Sequence, residues 1–138
     1  MVTLHVPGPP VPQPRHLTTR TGRHYLPARH PVHGFKLAVQ AAARAAGVKA
    51  IVGAVDVAIL AVFARPQSHI GRGGALRASA QAYPGHGSGD WDNLAKSVCD
   101  ALTGIAWADD TQIVSGAATK RYADPGEQPH TLVTIREA

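Results

Sequence analysis

The pattern of apolar and polar residues predicts four β-strands along the chain. Val2, Leu4 and Val6 alternate with polar residues before the Pro-rich stretch "PGPPVPQP", which is typical of a short strand that ends at a connection. The stretch from Val52 to Phe63 is rich in Val and Ile and is apolar on both faces, as a central strand is. The later stretches "TQIVSGAATKRY" and "HTLVTIREA" predict two more strands, the first of which carries Lys120.

Two segments have helical character instead. Helix-forming residues, many of them alanines, fill the stretch from about His33 to Ala46, and Gly47 follows where a helix would end. Apolar residues recur at helical spacing from Leu94 to Ile105, which predicts a helix that begins at about Asn93 and stops near Gly104. The predicted order β-α-β-α-β-β indicates an α+β fold.

Composition limits the size and the class of the protein. The chain has 138 residues, of which 44% are apolar, enough for one hydrophobic core, so we expect a single domain over residues 1–138. The main apolar run, "VAILAVFA", is far shorter than the roughly 20 residues that a membrane-spanning helix requires, and the N-terminus has no charged leader. We therefore expect no membrane segment and a cytoplasmic location. The single cysteine, Cys99, excludes an intramolecular disulfide and a zinc site built on paired cysteines.

Charge is distributed unevenly along the chain. Residues 1–89 contain ten Lys and Arg and one acid, residues 90–110 contain one Lys and five Asp, and residues 111–138 contain three charges of each sign. Two stretches without apolar periodicity carry much of the positive charge: Arg15 to Arg29, with a turn at Thr21-Gly22, and the long Gly- and Ser-rich loop from Arg65 to Gly89. A basic protein with one acidic spot suits a polyanion that is handled there by a cation, although ordinary surface charge explains the pattern equally well.

The aspartates gather around the second predicted helix. Asp90 and Asp92 stand two apart in a segment expected to be extended, so their side chains project to one side just before the helix begins. Asp109 and Asp110 precede the following strand. Three or four aspartates close together repel one another unless a cation compensates them, and oxygen-only ligation favours Mg²⁺ or Mn²⁺ over zinc. Taken singly, each has a simpler explanation: Asp92 as a helix cap, Asp90 as a solvated charge and Asp109-Asp110 as a turn.

Other motifs do not match the chain. An EF-hand loop beginning at Asp90 requires ligands or glycine where the chain has Leu94, Ala95 and Ala101. The stretch "GRGGALR" lacks the Gly-Lys-Ser/Thr of a phosphate-binding loop, and "GHGSGD" does not match the Gly-x-Ser-x-Gly nucleophile turn. Of the eight histidines only His30 and His33 are closely spaced, and we expect the histidines to be solvated or to face the polyanion rather than to bind metal.

The segment "DWDNLAKSVCDALTG", followed by "WADDTQIVSGAATKRY", resembles the signature of the RusA family of Holliday junction resolvases. In that family an Asp-x-Asp-Asn-Leu-x-Lys segment, an Asp-Ala-Leu helix and an Asp-Asp-x-Gln-Val strand recur in this order and spacing. The resemblance is strongest over residues 90–122 and extends more weakly to the opening "VPGPPVPQPR" and the long basic loop. Gly89 stands where many members have proline, and we expect this difference only to loosen the local backbone.

The resemblance implies a small, homodimeric, Mg²⁺-dependent endonuclease that cuts four-way DNA junctions, with a mixed sheet of about four strands and two main helices. The family's metal-binding acids fall on Asp90, Asp92 and Asp110, and its essential lysine falls on Lys96. Secondary motif positions are Asn93, Asp109, Gln112 and Lys120. Candidate DNA contacts from the basic stretches are Arg15, Arg20, Arg23, Arg72 and Arg77, together with Lys120.

The chemistry that the residues themselves suggest agrees with this resemblance. Phosphodiester hydrolysis requires an activated water and neutralisation of charge on the phosphoryl oxygens, which metal ions on an aspartate cluster provide. Lys96 is suited to hold the scissile phosphate. Two hypotheses of other classes stay open: a non-catalytic DNA-binding protein that uses the acidic cluster structurally, and a metal-dependent nucleotide hydrolase, which would not require so much basic surface.

Overall fold

Six strands and two helices make up the computed structural model, which describes residues 1–85 and 87–138. In chain order, the elements are β1 (Val2–Pro7), β2 (Leu17–Thr18), β3 (His24–Tyr25), α1 (Pro31–Ala45), β4 (Val55–Phe63), α2 (Trp91–Leu102), β5 (Ile113–Tyr122) and β6 (His130–Glu137). Four strands form one sheet in the order β1-β6-β4-β5. β6 is antiparallel to β1 and β4, whereas β4 and β5 are parallel and are joined through α2, because parallel neighbours need a crossover connection.

The two helices pack against one face of the sheet and close the core there. Side chains alternate between the two faces of a strand, and in β4 the alternate residues Val55, Val57 and Ile59 are buried. Val39 of α1 and Val98 of α2 join the same apolar cluster and are fully buried. The apolar spacing of the helices and the apolar character of β4 therefore arise from one shared core.

The predicted fold class is confirmed. The main elements follow the predicted order β-α-β-α-β-β and form a single α+β domain around a mixed four-stranded sheet. β4 begins at Val55 rather than at the predicted Val52, and Val52 itself is 96% exposed. The side-chain amide of Gln112 donates hydrogen bonds to the carbonyls of residues 51, 52 and 53. This segment therefore approaches the sheet without joining it as a strand.

Capping residues explain the limits of α1. It spans Pro31–Ala45, close to the predicted His33 to Ala46. His30 Nδ1 accepts a hydrogen bond from the backbone N–H of Val32 at 3.1 Å, and Pro31 occupies the first helical position, where its missing N–H is not needed. Gly47, with φ of +68°, follows the last turn in the left-handed conformation that commonly ends helices.

The two basic stretches are more ordered than their composition predicts. β2 and β3 pair as a short hairpin inside the first stretch, around the predicted turn. Its residues Leu17 and Tyr25 are exposed, so no apolar periodicity signals the hairpin. The long loop between β4 and α2 contains two 3₁₀ turns, Gln67–His69 and Arg72–Gly74. In the described part of the chain no helix is long and apolar enough to cross a membrane.

Candidate active site

Asp90 and Asp92 lie at the N-terminal end of α2. Asp90 immediately precedes the helix with extended backbone (φ −73°, ψ 147°), and its carboxylate makes no capping hydrogen bond. Asp92 lies in the first turn, and both residues are exposed. The prediction that both precede the helix in an extended segment is wrong, because α2 begins at Trp91 rather than at Asn93. The positive end of the helix dipole favours the two negative charges in this position.

Two hydrogen-bonded tethers from β5 hold the main chain on either side of Asp90. Lys120 Nζ donates to the carbonyl of Gly89 at 2.9 Å and to Ser88 Oγ at 3.1 Å. The indole Nε1 of Trp91 donates to the carbonyl of Ala118 at 2.6 Å. β5 therefore determines where the Asp90 carboxylate stands relative to the sheet.

Gly89 is required by the local geometry and does not merely loosen it. Its φ is +88°, a conformation that proline cannot adopt because its ring holds φ near −65°. A Cβ atom at this position would lie 2.8 Å from Pro12 Cβ and closer still to Pro12 Cγ. The neighbouring backbone is joined as well, since the N–H of Gln13 donates to the carbonyl of Asn93 at 2.8 Å. The expectation from the sequence about Gly89 was wrong, because the contact with Pro12 joins residues far apart in the chain.

A hydrogen-bonded turn presents Asp110. Asp110–Gln112 form a single 3₁₀ turn in which Asp109 Oδ1 accepts from the N–H of Thr111 at 2.9 Å, and this bonding lowers the pKa of Asp109. Gln112 Oε1 accepts from the N–H of Asp109 at 3.0 Å, which completes a capping box. Gln112 Nε2 donates to the carbonyls of residues 51, 52 and 53. The secondary motif residues Asp109 and Gln112 therefore shape the backbone that carries Asp110.

Lys96 and Asp100 form an exposed ion pair along α2. Their charged atoms are 3.3 Å apart, and Lys36 of α1 lies 3.8 Å from the same carboxylate. Between these residues and Asp110 lies Cys99, whose thiol pKa is raised to about 11 by burial and by the charges of Asp100 and Asp110. Cys99 is therefore protonated at neutral pH and is not a candidate nucleophile.

The three candidate metal ligands come from two segments. Asp90 and Asp92 stand at the first turn of α2, whereas Asp110 begins the 3₁₀ turn before β5. Among residues 1–85 and 87–138, no group of three or more His, Cys, Asp or Glu side chains is arranged so that it could hold a metal ion. The donor chemistry suits a hard cation, and joint ligation by the three aspartates remains a prediction.

Asp90 lies between two clefts. The first, which we call the proline cleft, has a volume of about 530 Å³ and is formed by residues 10–15, Pro31, Phe63, residues 87–90 and Asn93. The second, the β5 cleft, has a volume of about 510 Å³ and is lined by Asp90, Trp91 and Lys120 together with Pro84, Gly85, Gly87 and Gly89. Asp90 lines both clefts, and each contains one basic residue, Arg15 in the first and Lys120 in the second.

The candidate DNA-binding arginines are exposed. Within the described residues none of them takes part in an ion pair. They are Arg15, Arg20 and Arg23 near the β2-β3 hairpin and Arg72 and Arg77 in the long loop. That loop is anchored at its base, where Arg65 Nε donates to the carbonyl of Ala123 at 2.9 Å and the guanidinium lies 5.1 Å from the centre of the Tyr122 ring. These contacts hold the base of the loop that carries Arg72 and Arg77 against the end of β5.

The family model of the endodeoxyribonuclease RusA matches residues 7–136 of the chain. The chain belongs to the RusA endodeoxyribonuclease family. No curated protein is similar enough to count as a match. RusA membership implies Holliday junction resolvase endonuclease activity, which makes this chain a hydrolase of DNA phosphodiesters. Resolvases of this kind generally use divalent metal ions and act on branched DNA.

Several residues of this RusA chain support the site without belonging to its sequence motif. The indole of Trp91 bonds the start of α2 to Ala118 of the sheet, and Pro12 and Gln13 contact the segment around Asp90 from the Pro-rich connection. Sequence reasoning missed them, because the contacts of Trp91 and Pro12 join residues 27 and 77 positions apart. The only signal in the sequence was the Pro-rich composition before Arg15, which indicates a rigid connection.

Several of the described histidines have structural contacts in this RusA chain. His30 caps α1, and a ring nitrogen of His33 lies 3.0 Å from the carbonyl of Pro27. The rings of His5 and His130 are stacked with their centres 5.0 Å apart. His86 lies outside the described residues.

Proposed function

We propose that this RusA-family chain resolves four-way DNA junctions in recombination and repair, by paired phosphodiester hydrolysis that uses Mg²⁺, with Mn²⁺ as a substitute. The observation that supports this most directly is the placement of Asp90. Its exposed carboxylate follows a tethered backbone and lies between one cleft that contains Arg15 and another that contains Lys120. A DNA strand that crosses this point can place a phosphate at the carboxylate while cationic side chains balance the charge.

Asp90, Asp92 and Asp110 are the residues that would hold the ion. Their carboxylate oxygens are the ligand type that Mg²⁺ prefers, and all three residues are exposed. A bound divalent ion supplies a water of lowered pKa and neutralises charge on the phosphoryl oxygens. The remaining contribution of the chain is to place the phosphate.

Lys96 is suited to bind the scissile phosphate. It lies one turn beyond Asp92 on α2, and its side chain is 55% exposed. Its ion pair with Asp100 is a surface pair, and such pairs contribute only about 0–1 kcal/mol. Lys96 can therefore exchange the Asp100 carboxylate for a phosphate oxygen at little energetic cost.

The exposed arginines supply the grip on flanking DNA. Arg15, Arg20, Arg23, Arg72 and Arg77 occupy two separate segments, and Lys120 adds a cation inside the β5 cleft. Each lysine or arginine that neutralises a phosphate releases condensed counterions, so junction affinity should fall steeply as the salt concentration rises. Affinities of variants should therefore be compared at one fixed salt concentration.

We propose a homodimer because resolution of one junction requires two cuts. We treat residues 1–138 as one endonuclease domain with one set of carboxylates, acting on DNA in the cytoplasm. Resolution of a junction takes two nicks in opposed strands, and a two-fold symmetric dimer supplies two sites by symmetry. A domain of this size also leaves apolar surface that a second copy can cover.

One assay separates this proposal from the alternatives. The protein is incubated with labelled four-way junction, flap and linear duplex DNA, and separately with free nucleotides, in Mg²⁺, Mn²⁺, Ca²⁺ or EDTA. We expect paired cuts in the junction with Mg²⁺ or Mn²⁺, and binding with little turnover in Ca²⁺, whose looser ligand shell positions water poorly. Binding without cleavage would support the non-catalytic alternative, turnover of free nucleotides would support the nucleotide hydrolase, and full activity in EDTA would contradict the metal mechanism.

A subunit-mixing experiment tests the dimer. Wild-type protein is mixed with an excess of the Asp90→Asn variant, so that most wild-type chains enter heterodimers. We expect these heterodimers to leave junctions with a single nick, since only one of the two sites is active. A monomer in sedimentation with junction present, or a mixture that yields only paired cuts, would contradict the proposed assembly.

A further inference from the structure

The long loop between β4 and α2 carries a small hairpin of its own. Residues 69–77, which we call the loop hairpin, are joined by an antiparallel bridge and by a hydrogen bond from the N–H of Arg77 to the carbonyl of His69 at 2.9 Å. Arg72 lies in the 3₁₀ turn of this hairpin, and both arginine side chains are exposed. Two of the candidate DNA contacts therefore lie on one ordered unit.

Arg65 joins this hairpin to the rest of the loop and to the sheet. Its Nε donates to the carbonyl of Ala123, the residue after β5, at 2.9 Å, and its Nη1 donates to the carbonyl of Gln81. The same Nη1 lies 3.3 Å from Nδ1 of His69. A guanidinium group only donates, so Nδ1 accepts this hydrogen bond. One side chain thus binds the end of β5, the far side of the loop and the first residue of the loop hairpin.

Tyr122, the last residue of β5, completes this anchor. The guanidinium of Arg65 lies 5.1 Å from the centre of the Tyr122 ring, and the ring of His69 meets it edge-on with the two centres 5.2 Å apart. The N–H of Tyr122 donates to the carbonyl of Ala82 at 3.0 Å. Arg65, His69 and Tyr122 are all half-buried. The guanidinium of Arg65 is therefore engaged with protein groups, in contrast to the exposed arginines of the loop hairpin.

We propose that Arg65 is a positioning residue for DNA binding, which holds the loop hairpin against the end of β5 so that Arg72 and Arg77 meet the phosphates of branched DNA. This inference rests on the proposed function. A preformed loop binds more tightly than a mobile one, because less conformational entropy is lost on binding. Arginine suits this task better than lysine, since its planar group donates several bonds in fixed directions and stacks on an aromatic ring. The alternative is that Arg65 itself contacts a phosphate.

The conservative variant Arg65→Lys separates the two explanations, because it keeps the charge and loses the geometry. Affinity for labelled four-way junction is measured in Ca²⁺ over a range of salt concentrations, so that binding is followed without cleavage. Each lysine or arginine that no longer contacts a phosphate lowers the salt slope by about one. We expect Arg65→Lys to lower the slope by about two per chain and to weaken junction binding roughly tenfold at fixed salt. An unchanged slope and affinity would overturn the proposal.

A double-mutant cycle distinguishes positioning from direct contact. In the Arg72→Ala/Arg77→Ala protein the side chains that Arg65 positions are gone, so adding Arg65→Lys should change junction affinity by less than about twofold. A further loss as large as that in the wild-type background would show that Arg65 acts on the DNA itself and would overturn the proposal. Arg44→Lys, which changes an exposed arginine in the last turn of α1, is the matched control and should leave affinity and slope unchanged.

Hydrogen exchange reports whether the loop has detached. In Arg65→Lys we expect faster exchange of the Tyr122 N–H, which bonds to the loop, while the amides shared between β4 and β6 stay protected. Loss of protection throughout the sheet would mean that Arg65 supports the fold as a whole and would overturn the proposal. Neither measurement depends on cleavage. A wild-type protein that binds junctions and cuts none would contradict the proposed function, and the affinity series would still decide the role of Arg65.

Discussion

Replacing Gly89 with alanine tests whether the backbone before Asp90 is as constrained as the structure indicates. The substitution adds one methyl group, and two independent penalties follow from its position. An L-residue at φ of +88° is strained by about 1–2 kcal/mol. The new Cβ would also overlap the ring of Pro12, and overpacking of this kind typically destabilises by about 1–3 kcal/mol. We expect a total loss of about 2–5 kcal/mol in the free energy of unfolding.

A second glycine isolates the contribution of Pro12. Gly126 has a similar φ of +83°, and a Cβ placed there would meet nothing within 4 Å. Gly126→Ala should therefore lose only the backbone part, about 1–2 kcal/mol. Denaturant unfolding monitored by circular dichroism measures both variants, and a shifted midpoint with an unchanged slope shows that only stability has changed.

A double variant completes the test. Pro12→Ala removes Cγ, the ring atom nearest the new Cβ, and Cδ, and leaves only the 2.8 Å approach to Cβ, so Gly89→Ala should destabilise the Pro12→Ala protein less than it destabilises the wild type. Residues in direct contact give coupling energies of about 0.5–3 kcal/mol in such cycles. Equal losses for Gly89→Ala and Gly126→Ala, together with additive effects in the double variant, would refute the contact and the argument built on it.

Three further predictions concern charge. Asn in place of Asp90, Asp92 or Asp110 should abolish cleavage while junction binding stays equal or becomes tighter, because negative charge facing phosphate is removed; wild-type turnover in any variant would exclude that residue from the site. Lys120→Met should reduce kcat more than junction affinity if the lysine positions Asp90, whereas a loss confined to affinity would identify it as a DNA contact. Hydrogen bonds from Arg121 and a backbone N–H lower the pKa of Glu127 to about 2 from an ordinary 4.5. The resulting stability is fully present above about pH 4.5 and is lost as the pH falls towards 2, so the stability advantage over Glu127→Gln in unfolding experiments should disappear across that range.

Local patterns predicted the elements of this protein well, and the reason is that each element obeys its own periodicity. The apolar spacing from Leu94 onward places α2 within two residues of its observed start, because that stripe packs into the core. Helix limits were less accurate, since the first residues of α2, Trp91 and Asp92, are exposed and lie outside the apolar stripe that indicated the helix. The β2-β3 hairpin escaped prediction because its side chains are exposed and leave no apolar signal.

The candidate site was also predicted only in part. The identity of the acids follows from residue type and order, which is why Asp90, Asp92 and Asp110 stand out in the sequence alone. Their placement depends instead on pairings between distant segments, such as that of Gly89 with Pro12 and of Ser88 with Lys120. Strand order and register decide those pairings, and no local pattern contains them.

Two segments hold the backbone next to Asp90: β5 on one side and the Pro-rich connection on the other. On the β5 side, Lys120 fixes the backbone that carries the carboxylate. On the Pro-rich side, the same backbone packs against Pro12, and the N–H of the adjacent Gln13 donates to the carbonyl of Asn93. Because both sides hold the main chain next to Asp90, substitutions on either side should change how fast any junction is cut, whatever its sequence. A loss confined to junction affinity would instead mean that these contacts do not position Asp90.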